Sequence, residues 1–375
     1  MQFIKILLIT FGLLAASQVM AKVEYYAHLK FQETPFSPLV GIHPLNKKEA
    51  LSRIHYRFIY DDQNRISEIR SFVGNTPAVY LGSFDTYYWF SAGVRIDYSD
   101  NKEVHYYLDD QGQEIHSNYI PHYAEYTLDD DGQRIALHYF KHDNTKLNNR
   151  FGAHRYHWSV DNEGRIVEKR YSVAGDLVTL RPDVEFHETR FKFDAKGQVQ
   201  FMYNFGKTGK ITNNTSGAAI DRIFYDLDGN FIRWQVYDKE GNAVEGNGPN
   251  VHIGEYLYND VGDKRAVRFF DRAGYPMESS DGLHRAENTY DTMGSFIKEI
   301  QFDKTGKPIQ VHDRQLNANN TRIEWDRFFD GNKTPQENPY FGGAAAINYL
   351  YNEKGQLIER RHFDKALEFF DPFKS

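Results

Sequence analysis

The chain has 375 residues, a formal net charge of −7 and no cysteine. The lack of cysteine excludes disulfides, thiolate nucleophiles and thiolate zinc sites. The acidic balance, without a clustered basic surface, argues against nucleic acid as a partner. Tyrosine and phenylalanine are abundant, and glycine-containing turns follow at short intervals, which favours β-structure.

Residues 1–21 have the features of a secretory signal peptide. Lys5 is their one charged residue, and an apolar run extends from Ile6 to Ala16. Val19-Met20-Ala21 then places small or short residues at the positions that a signal peptidase recognises. The apolar run is too short to cross a bilayer as a helix, and no later segment is long enough. We expect cleavage before Lys22 and a soluble protein, without a transmembrane segment, in a bacterial periplasm or secreted. The alternative is a buried N-terminal helix.

A pair of short turn motifs recurs along the rest of the chain. Tyr225-Asp226-Leu227-Asp228-Gly229 is followed twelve residues later by Tyr237-Asp238-Lys239-Glu240-Gly241, and the pair recurs at 258–274 and 290–306. The first turn of the pair returns about every 32 residues, a period typical of repeat architectures. We predict a single domain over 22–375 with about ten units, one of them degenerate near 317–332.

Each aromatic-Asp-x-x-Gly motif predicts a tight hairpin turn. The Asp carboxylate can accept hydrogen bonds from the amides that follow it, and the Gly can take the positive φ that the loop requires. Asn tolerates this conformation best after Gly, and it replaces Gly at positions 64, 101 and 144. The glycines predicted to be structural turn residues are Gly132, Gly164, Gly197, Gly229, Gly241, Gly262, Gly274, Gly294, Gly306 and Gly355.

The segments between the turns have the length of ordinary strands. Apolar and polar residues alternate imperfectly along these segments. This pattern suits a sheet with one buried face and one solvent-exposed face that still carries aromatic residues. Because an isolated hairpin cannot bury its apolar face, successive hairpins must stack. We therefore predict an all-β fold of tandem antiparallel hairpins that form a curled sheet, a solenoid or a barrel-like shell.

The paired turns resemble the YD repeats of the bacterial RHS family. The resemblance rests on Tyr-Asp-x-x-Gly turns that are followed by a strand and a second aromatic-Asp-x-x-Gly turn, and it extends from Tyr60 to Asp364. It implies a β-sheet shell or an extended surface, which RHS proteins often place around a toxin domain. This chain has neither the family's core motif nor a toxin domain that we recognise, so the resemblance concerns the hairpin array.

The sequence offers no clear metal or catalytic motif. Asp129-Asp130-Asp131-Gly132 shares the oxygens of a calcium loop but lacks its closing Glu, so turn capping is the favoured interpretation. The 15 histidines are scattered and form no His-Glu-x-x-His motif. There is no Gly-x-Ser-x-Gly elbow and no phosphate-binding loop. We predict no catalytic residue, no metal and no cofactor.

Aromatic residues are the better binding candidates. Tyr87, Tyr88 and Trp89 lie in the one stretched interval of the repeat and so have no repeat position to fill. Exposed rings of this kind could stack on sugars or on a protein partner, and Trp158 and Trp234 could add to such a surface. The alternative is core and cross-strand packing.

We expect an exported, non-enzymatic binding or scaffold protein of the bacterial envelope that recognises a protein or a glycan, because solenoid surfaces commonly serve recognition. Two alternatives stay open. The first is a carbohydrate-active hydrolase with paired carboxylates on the sheet, which a cleft holding two acids beside aromatic rings would favour. The second is an accessory or immunity component of an RHS-like system.

Overall fold

The computed structural model describes residues 21–79, 81–82, 88–89, 91–117, 120–206, 208–353 and 357–372. The predicted leader apart from Ala21, the binding candidate Tyr87 and the turn residue Gly355 lie outside these residues. In the described part of the chain, no helix has the length and apolarity needed to cross a membrane.

The predicted all-β fold is confirmed. Twenty-five antiparallel strands form one sheet in the described residues, with one helical turn, α1, at Lys47–Ala50 and a 3-10 turn at Pro339–Phe341. The strands are β1 Val23–Leu29, β2 Gly41–Leu45, β3 Ile54–Tyr60, β4 Ile66–Val73, β5 Thr76–Pro77, β6 Gly93–Ser99, β7 Lys102–Leu108, β8 Tyr123–Leu128, β9 Arg134–Phe140, β10 Arg155–Val160, β11 Ile166–Tyr171, β12 Leu177–Val178, β13 Glu188–Phe193, β14 Val199–Phe205, β15 Ile220–Tyr225, β16 Phe231–Tyr237, β17 Ile253–Tyr258, β18 Lys264–Phe270, β19 Arg285–Tyr290, β20 Phe296–Phe302, β21 Pro308–Leu316, β22 Ile323–Asp330, β23 Ala346–Tyr351, β24 Leu357–Phe363 and β25 Phe369–Phe370.

Pairing follows chain order from β3 onwards, with the short strands β5 and β12 attached beside β4 and β11. At the other end, β1 lies between β2 and β3. The outer strands β2 and β25 do not pair with each other, so the sheet is open.

The hairpin turns have the chemistry that the motif predicts. In the turn between β8 and β9, one carboxylate oxygen of Asp129 accepts hydrogen bonds from the amides of Asp131 and Gln133, at 3.1 and 2.8 Å. Gly132 closes this turn at a φ of 78°. The other eight predicted turn glycines that are described also have positive φ, between 69° and 91°.

In several units the tyrosine of the first motif links neighbouring units. Its ring lies at the end of a first strand, and its hydroxyl donates to a backbone carbonyl at the start of a strand in the preceding hairpin. These bonds run from Tyr258 to Phe231 at 2.8 Å, from Tyr290 to Lys264 at 2.7 Å, and from Tyr351 to Ile323 at 2.8 Å. The Tyr-Asp pair therefore combines a turn cap with a bond between units.

Some of the 15 histidines follow the repeat, which the sequence analysis did not detect. Four of them stand just before or at the start of the first strand of a unit, at intervals of 32 residues or multiples close to it. Each ring faces a backbone carbonyl through Nδ1, which must donate because a carbonyl oxygen can only accept. They are His122, His154, His252 and His284.

The sheet curls around the segment 30–40 that joins β1 to β2. Phe31 stacks on Phe231 with ring centroids 4.8 Å apart, and Phe36 packs edge-on against Trp158 at 5.6 Å. Arg134 donates to three successive carbonyls of the segment. These contacts join positions about 100 to 200 residues apart in the chain, so the segment lies on the inner face and holds the curl.

We predict that two turn glycines differ in their tolerance of a side chain. Gly132→Ala should lose about 1 kcal/mol, because its positive φ disfavours Ala while no atom lies within 4 Å of the new methyl group. Gly262→Ala should lose clearly more, because its Cβ would also come within 2.4 Å of His43 and 2.7 Å of His28. Urea unfolding monitored by circular dichroism measures both. Equal losses would contradict the packing of His28 of β1 and His43 of β2 against this turn.

Candidate functional site

A cavity of about 180 Å³ lies where the segment 30–40 meets the inner face of strands β14 to β18. One side of the cavity is polar and the other is aromatic. The polar residues are Glu33, Arg181, Asp183, Asp221 and Asn247, and the aromatic residues are Phe231, Trp234, Tyr256 and Phe269. Arg181, Asp183 and Asn247 come from connectors between strands, Glu33 comes from the inner segment and Asp221 from β15. These residues come together only when the sheet is folded and curled.

Asp221 departs from the pattern of the repeat. It is the second residue of β15, and its cross-strand neighbours Met202 and Val236 are buried and apolar. Only 5% of Asp221 is exposed. The same position of the first strand in other units holds uncharged residues, namely Ala124, Tyr156, Thr189, Gly254 and Ala286. A carboxylate here is therefore not required by the sheet.

Asn247 fixes the orientation of the Asp221 carboxylate. Its amide nitrogen donates to both carboxylate oxygens, at 2.9 and 3.1 Å. Asn247 is itself held at a positive φ of 58°, where its backbone amide donates to the hydroxyl of Ser216 at 2.7 Å. Its side-chain oxygen accepts from Asn214 at 3.1 Å. These bonds hold the connector so that the side-chain amide of Asn247 faces the Asp221 carboxylate.

A second acid reaches the cavity from the inner segment. Glu33 is 4% exposed and forms an ion pair with a terminal nitrogen of Arg181. The Nε of Arg181 lies 3.2 Å from a carboxylate oxygen of Asp183, which is exposed at the rim. Of the described residues that line the cavity, Arg181 is the single cation. Its ion pairs are with Glu33 and Asp183.

Burial is the main cause that raises the pKa of both Asp221 and Glu33. The pKa of Asp221 is raised to about 7, first by burial and then by the negative charge of Glu33, while Arg181 and the Asn247 amide act in the opposite direction. Burial also raises the pKa of Glu33, and Arg181 partly offsets this. Asp221 therefore exchanges its proton in the neutral range, unlike an ordinary carboxyl group.

The aromatic side depends on a glycine. Trp234 of β16 lies opposite Gly254 of β17, and a Cβ at position 254 would lie 2.3 Å from the indole ring. The ring therefore lies flat against the neighbouring backbone. Tyr256 packs on Phe231 at 5.2 Å, and Phe269 lies 6.4 Å from Trp234. The result is a half-buried aromatic wall facing the acids.

The predicted binding residues lie elsewhere. Tyr88 is 7% exposed and packs edge-on against Phe151 and Tyr156, at 5.8 and 6.4 Å. Trp89 is half-buried and packs edge-on against Tyr56 at 5.4 Å. Neither lines the cavity. This placement matches the packing alternative, and a ligand contact by either residue stays a prediction.

The two tryptophans of the repeat have different environments. Trp158 is 2% exposed and donates its indole N–H to Glu168 at 2.8 Å, inside the core. Trp234 borders the cavity. Sequence reasoning did not identify Glu33, Arg181 or Asp221 as site residues. An alignment of the units would have shown Asp221 as an acid at a buried position, but no local signal marks the other two.

In the described part of the chain, no three His, Asp or Glu side chains are arranged to hold a metal ion. The Asp-rich turn at 129–132 uses its first carboxylate to cap the turn.

No protein-family model and no curated protein matches the chain. Among solved structures, it is similar to a TcdB2-TccC3-TEV chain, at 10% identity and a TM-score of 0.25, over 82% of this chain and 19% of that one. A Tc holotoxin pore of Photorhabdus luminescens aligns at 11% identity and a TM-score of 0.21, over 85% and 18%. A porin-like protein from Bacteroides uniformis aligns at 10% and 0.22, over 73% and 88%.

The chain thus spans about a fifth of the length of the Tc toxin chains that it matches. Similarities of this size carry no argument about function. The resemblance to YD repeats rests on the turn motifs.

We predict that Asp221→Asn stabilises the protein at alkaline pH. The folded protein keeps the Asp221 proton up to about pH 7, whereas the unfolded chain releases it near the ordinary value of 3.8. Wild-type stability should therefore fall as the pH rises from about 4 to 7 and then level off. The variant has no buried carboxyl group to ionise at position 221. Its free energy of unfolding should therefore exceed that of the wild type by a few kcal/mol at pH 8 and should not exceed it at pH 4.

Unfolding midpoints between pH 4 and 9 measure this difference. Asp228→Asn is the matched control, because Asp228 is an exposed carboxylate in a turn and its replacement should leave the wild-type profile unchanged. An Asp221→Asn profile parallel to that of the wild type would show that Asp221 has an ordinary pKa.

We predict that Trp89→Ala lowers the free energy of unfolding by roughly 2–4 kcal/mol, because it removes a half-buried ring that packs against Tyr56. Tyr275→Ala, at a residue that is 69% exposed, is the control and should change little. Thermal unfolding compares the two. A Trp89→Ala variant as stable as the control would argue against packing and for the ligand contact.

Proposed function

We propose that the protein is an exported, non-enzymatic binding protein of the bacterial envelope that holds one small group of a protein or glycan partner in the cavity beside Asp221. The observation that carries this proposal is the meeting of two buried acids and an aromatic wall at one cavity. Its walls come from chain segments that are far apart in sequence. Ligand sites typically combine a few polar groups at fixed positions with a lining of aromatic rings.

The size of the cavity limits what it can hold. Pockets for whole drug-sized ligands are roughly 300–1,000 Å³, and this one is about 180 Å³. It can therefore take one ring or one side chain of a larger partner. The rest of such a partner would lie on the sheet surface outside, past the exposed rim residue Asp183.

The energetics also favour recognition over a structural role. Burying a carboxylate away from water is costly unless it is well paired. Other units fill the position of Asp221 with uncharged residues and form the same hairpin. A costly residue that the fold does not need is expected at functional sites.

Export is part of the proposal and rests on the sequence of residues 1–21. The leader and its removal before Lys22 remain predictions. A periplasmic or extracellular place would expose the curled sheet to glycans and to envelope proteins.

A hydrolase is the second candidate, because Glu33 and Asp221 border one cavity and both have raised pKa values. An acid that is protonated near neutral pH can act as a general acid in glycoside cleavage. Release of nitrophenol from aryl glycosides that is lost in both Glu33→Gln and Asp221→Asn would establish this candidate in place of simple binding.

Fluorine NMR of protein labelled with 5-fluorotryptophan tests the proposal. The chain has four tryptophans, so few signals arise, and Trp234→Phe identifies the one at the cavity. We expect that at least one probe among glucose, n-butanol, n-butylammonium and butyrate shifts the Trp234 signal at millimolar concentration. The Trp158 signal serves as the internal control, because Trp158 lies in the core. If none of the probes moves the Trp234 signal, the cavity is not a binding site.

A further inference from the structure

We propose, resting on the proposed function, that the cavity binds an organic cation: an ammonium or guanidinium group on a short carbon skeleton. The skeleton lies against Trp234 and Tyr256, and the charged group reaches Glu33 and Asp221. The proposal names the ligand class of the site.

The charges around the cavity are unbalanced. Three acids, Glu33, Asp183 and Asp221, line it together with one cation, Arg181. The ion pairs of Arg181 go to Glu33 and Asp183. Asp221 is hydrogen-bonded by the neutral amide of Asn247 and forms no ion pair with any described residue. The site therefore contains one buried acid, Asp221, that forms no ion pair with Arg181.

A ligand cation corrects this imbalance. A buried carboxylate is stabilised by a charged donor far more than by a neutral one, because charge-assisted hydrogen bonds are shorter and stronger. Asp221 has acceptor capacity left after the two bonds from Asn247, since an ionised carboxylate has about four lone-pair sites. A ligand ammonium can donate to Asp221 and Glu33 at once, as both border the same space.

The aromatic wall suits the same ligand. The faces of aromatic rings attract cations, most strongly at Trp, and carbon chains pack on the same rings. Trp234 is half-buried, and Gly254 allows its ring to lie flat on the sheet. Rings beside carboxylates are the recurrent arrangement for recognition of ammonium groups.

Other ligand classes fit less well. A phosphate or a carboxylate would meet Glu33 and Asp221 in a site of low polarity, where repulsion between like charges is strong. A neutral sugar could hydrogen-bond to the acids, but it would leave their charge unbalanced. The exposed acid Asp183 at the rim also attracts cations towards the entrance.

The labelled protein described above provides the test. At pH 8, n-butylammonium should shift the Trp234 signal with an apparent affinity about tenfold higher than that of its neutral match n-butanol, the gain expected of one charge-assisted bond. Butyrate should be the weakest of the three. Glucosamine compared with glucose, and lysine amide compared with norleucine amide, show whether the cation comes from an amino sugar or from a side chain.

Two variants and one change of pH sharpen the test. Asp221→Asn should remove most of the preference for n-butylammonium over n-butanol, whereas the surface control Asp228→Asn should keep it. Lowering the pH from 8 to 5.5 should weaken cation binding to the wild type, since Asp221 then carries a proton, and should leave n-butanol binding unchanged. The alkylamine itself stays charged over this range.

The outcomes separate the two proposals. If n-butanol or glucose shifts the Trp234 signal as strongly as the cations do, the inference fails and the binding site stands. If Asp221→Asn keeps the cation preference, the inference also fails. If no probe shifts the signal at all, the proposed function fails together with it.

Discussion

The Asp-capped turn is the interaction on which the sheet depends. In the turn at 303–306, one oxygen of Asp303 accepts from the amides of Thr305 and Lys307, at 2.8 and 2.9 Å, while Gly306 has a φ of 86°. This fixes the register of the two strands that leave the turn. An isolated hairpin is marginal in water, so each turn also needs its neighbours. In the units with Tyr258, Tyr290 and Tyr351, a tyrosine hydroxyl supplies such a link.

The curl of the array depends on a different part of the chain. Segment 30–40 has no repeat motif, yet its side chains and carbonyls contact units far along the sequence. Thr34 hydrogen-bonds Glu168, and Glu33 pairs with Arg181. A row of hairpins determines an open sheet, and this inner segment determines how the sheet curls.

The turns and strands could be predicted from sequence because their causes are local. The Asp and the Gly of a turn are three residues apart, and the strand length follows from the spacing of the turns. The inner segment could not be predicted, because Glu33 and Arg181 are 148 residues apart and neither belongs to a motif. The role of the histidines was missed for a related reason: each one bonds a backbone carbonyl, and sequence does not show which carbonyl comes near.

Two buried acids elsewhere in the described residues, Asp326 and Glu103, differ from the acids at the cavity. Asp326 is fully buried, but His312, Arg314 and Tyr349 all bond to it, and its pKa is held well below the usual value.

Glu103 is similar, with Arg134 and His105 as partners and a lowered pKa. In both cases an arginine and further hydrogen-bond donors overcome the effect of burial, so the charged acid is stable inside the fold. At Asp221 and Glu33 burial prevails, and both pKa values are raised. Asp326 and Glu103 thus show that this fold can surround a buried acid with an arginine and other hydrogen-bond donors. At the cavity, Asp221 has a neutral amide as its partner in place of an arginine, and this difference supports the proposed binding role.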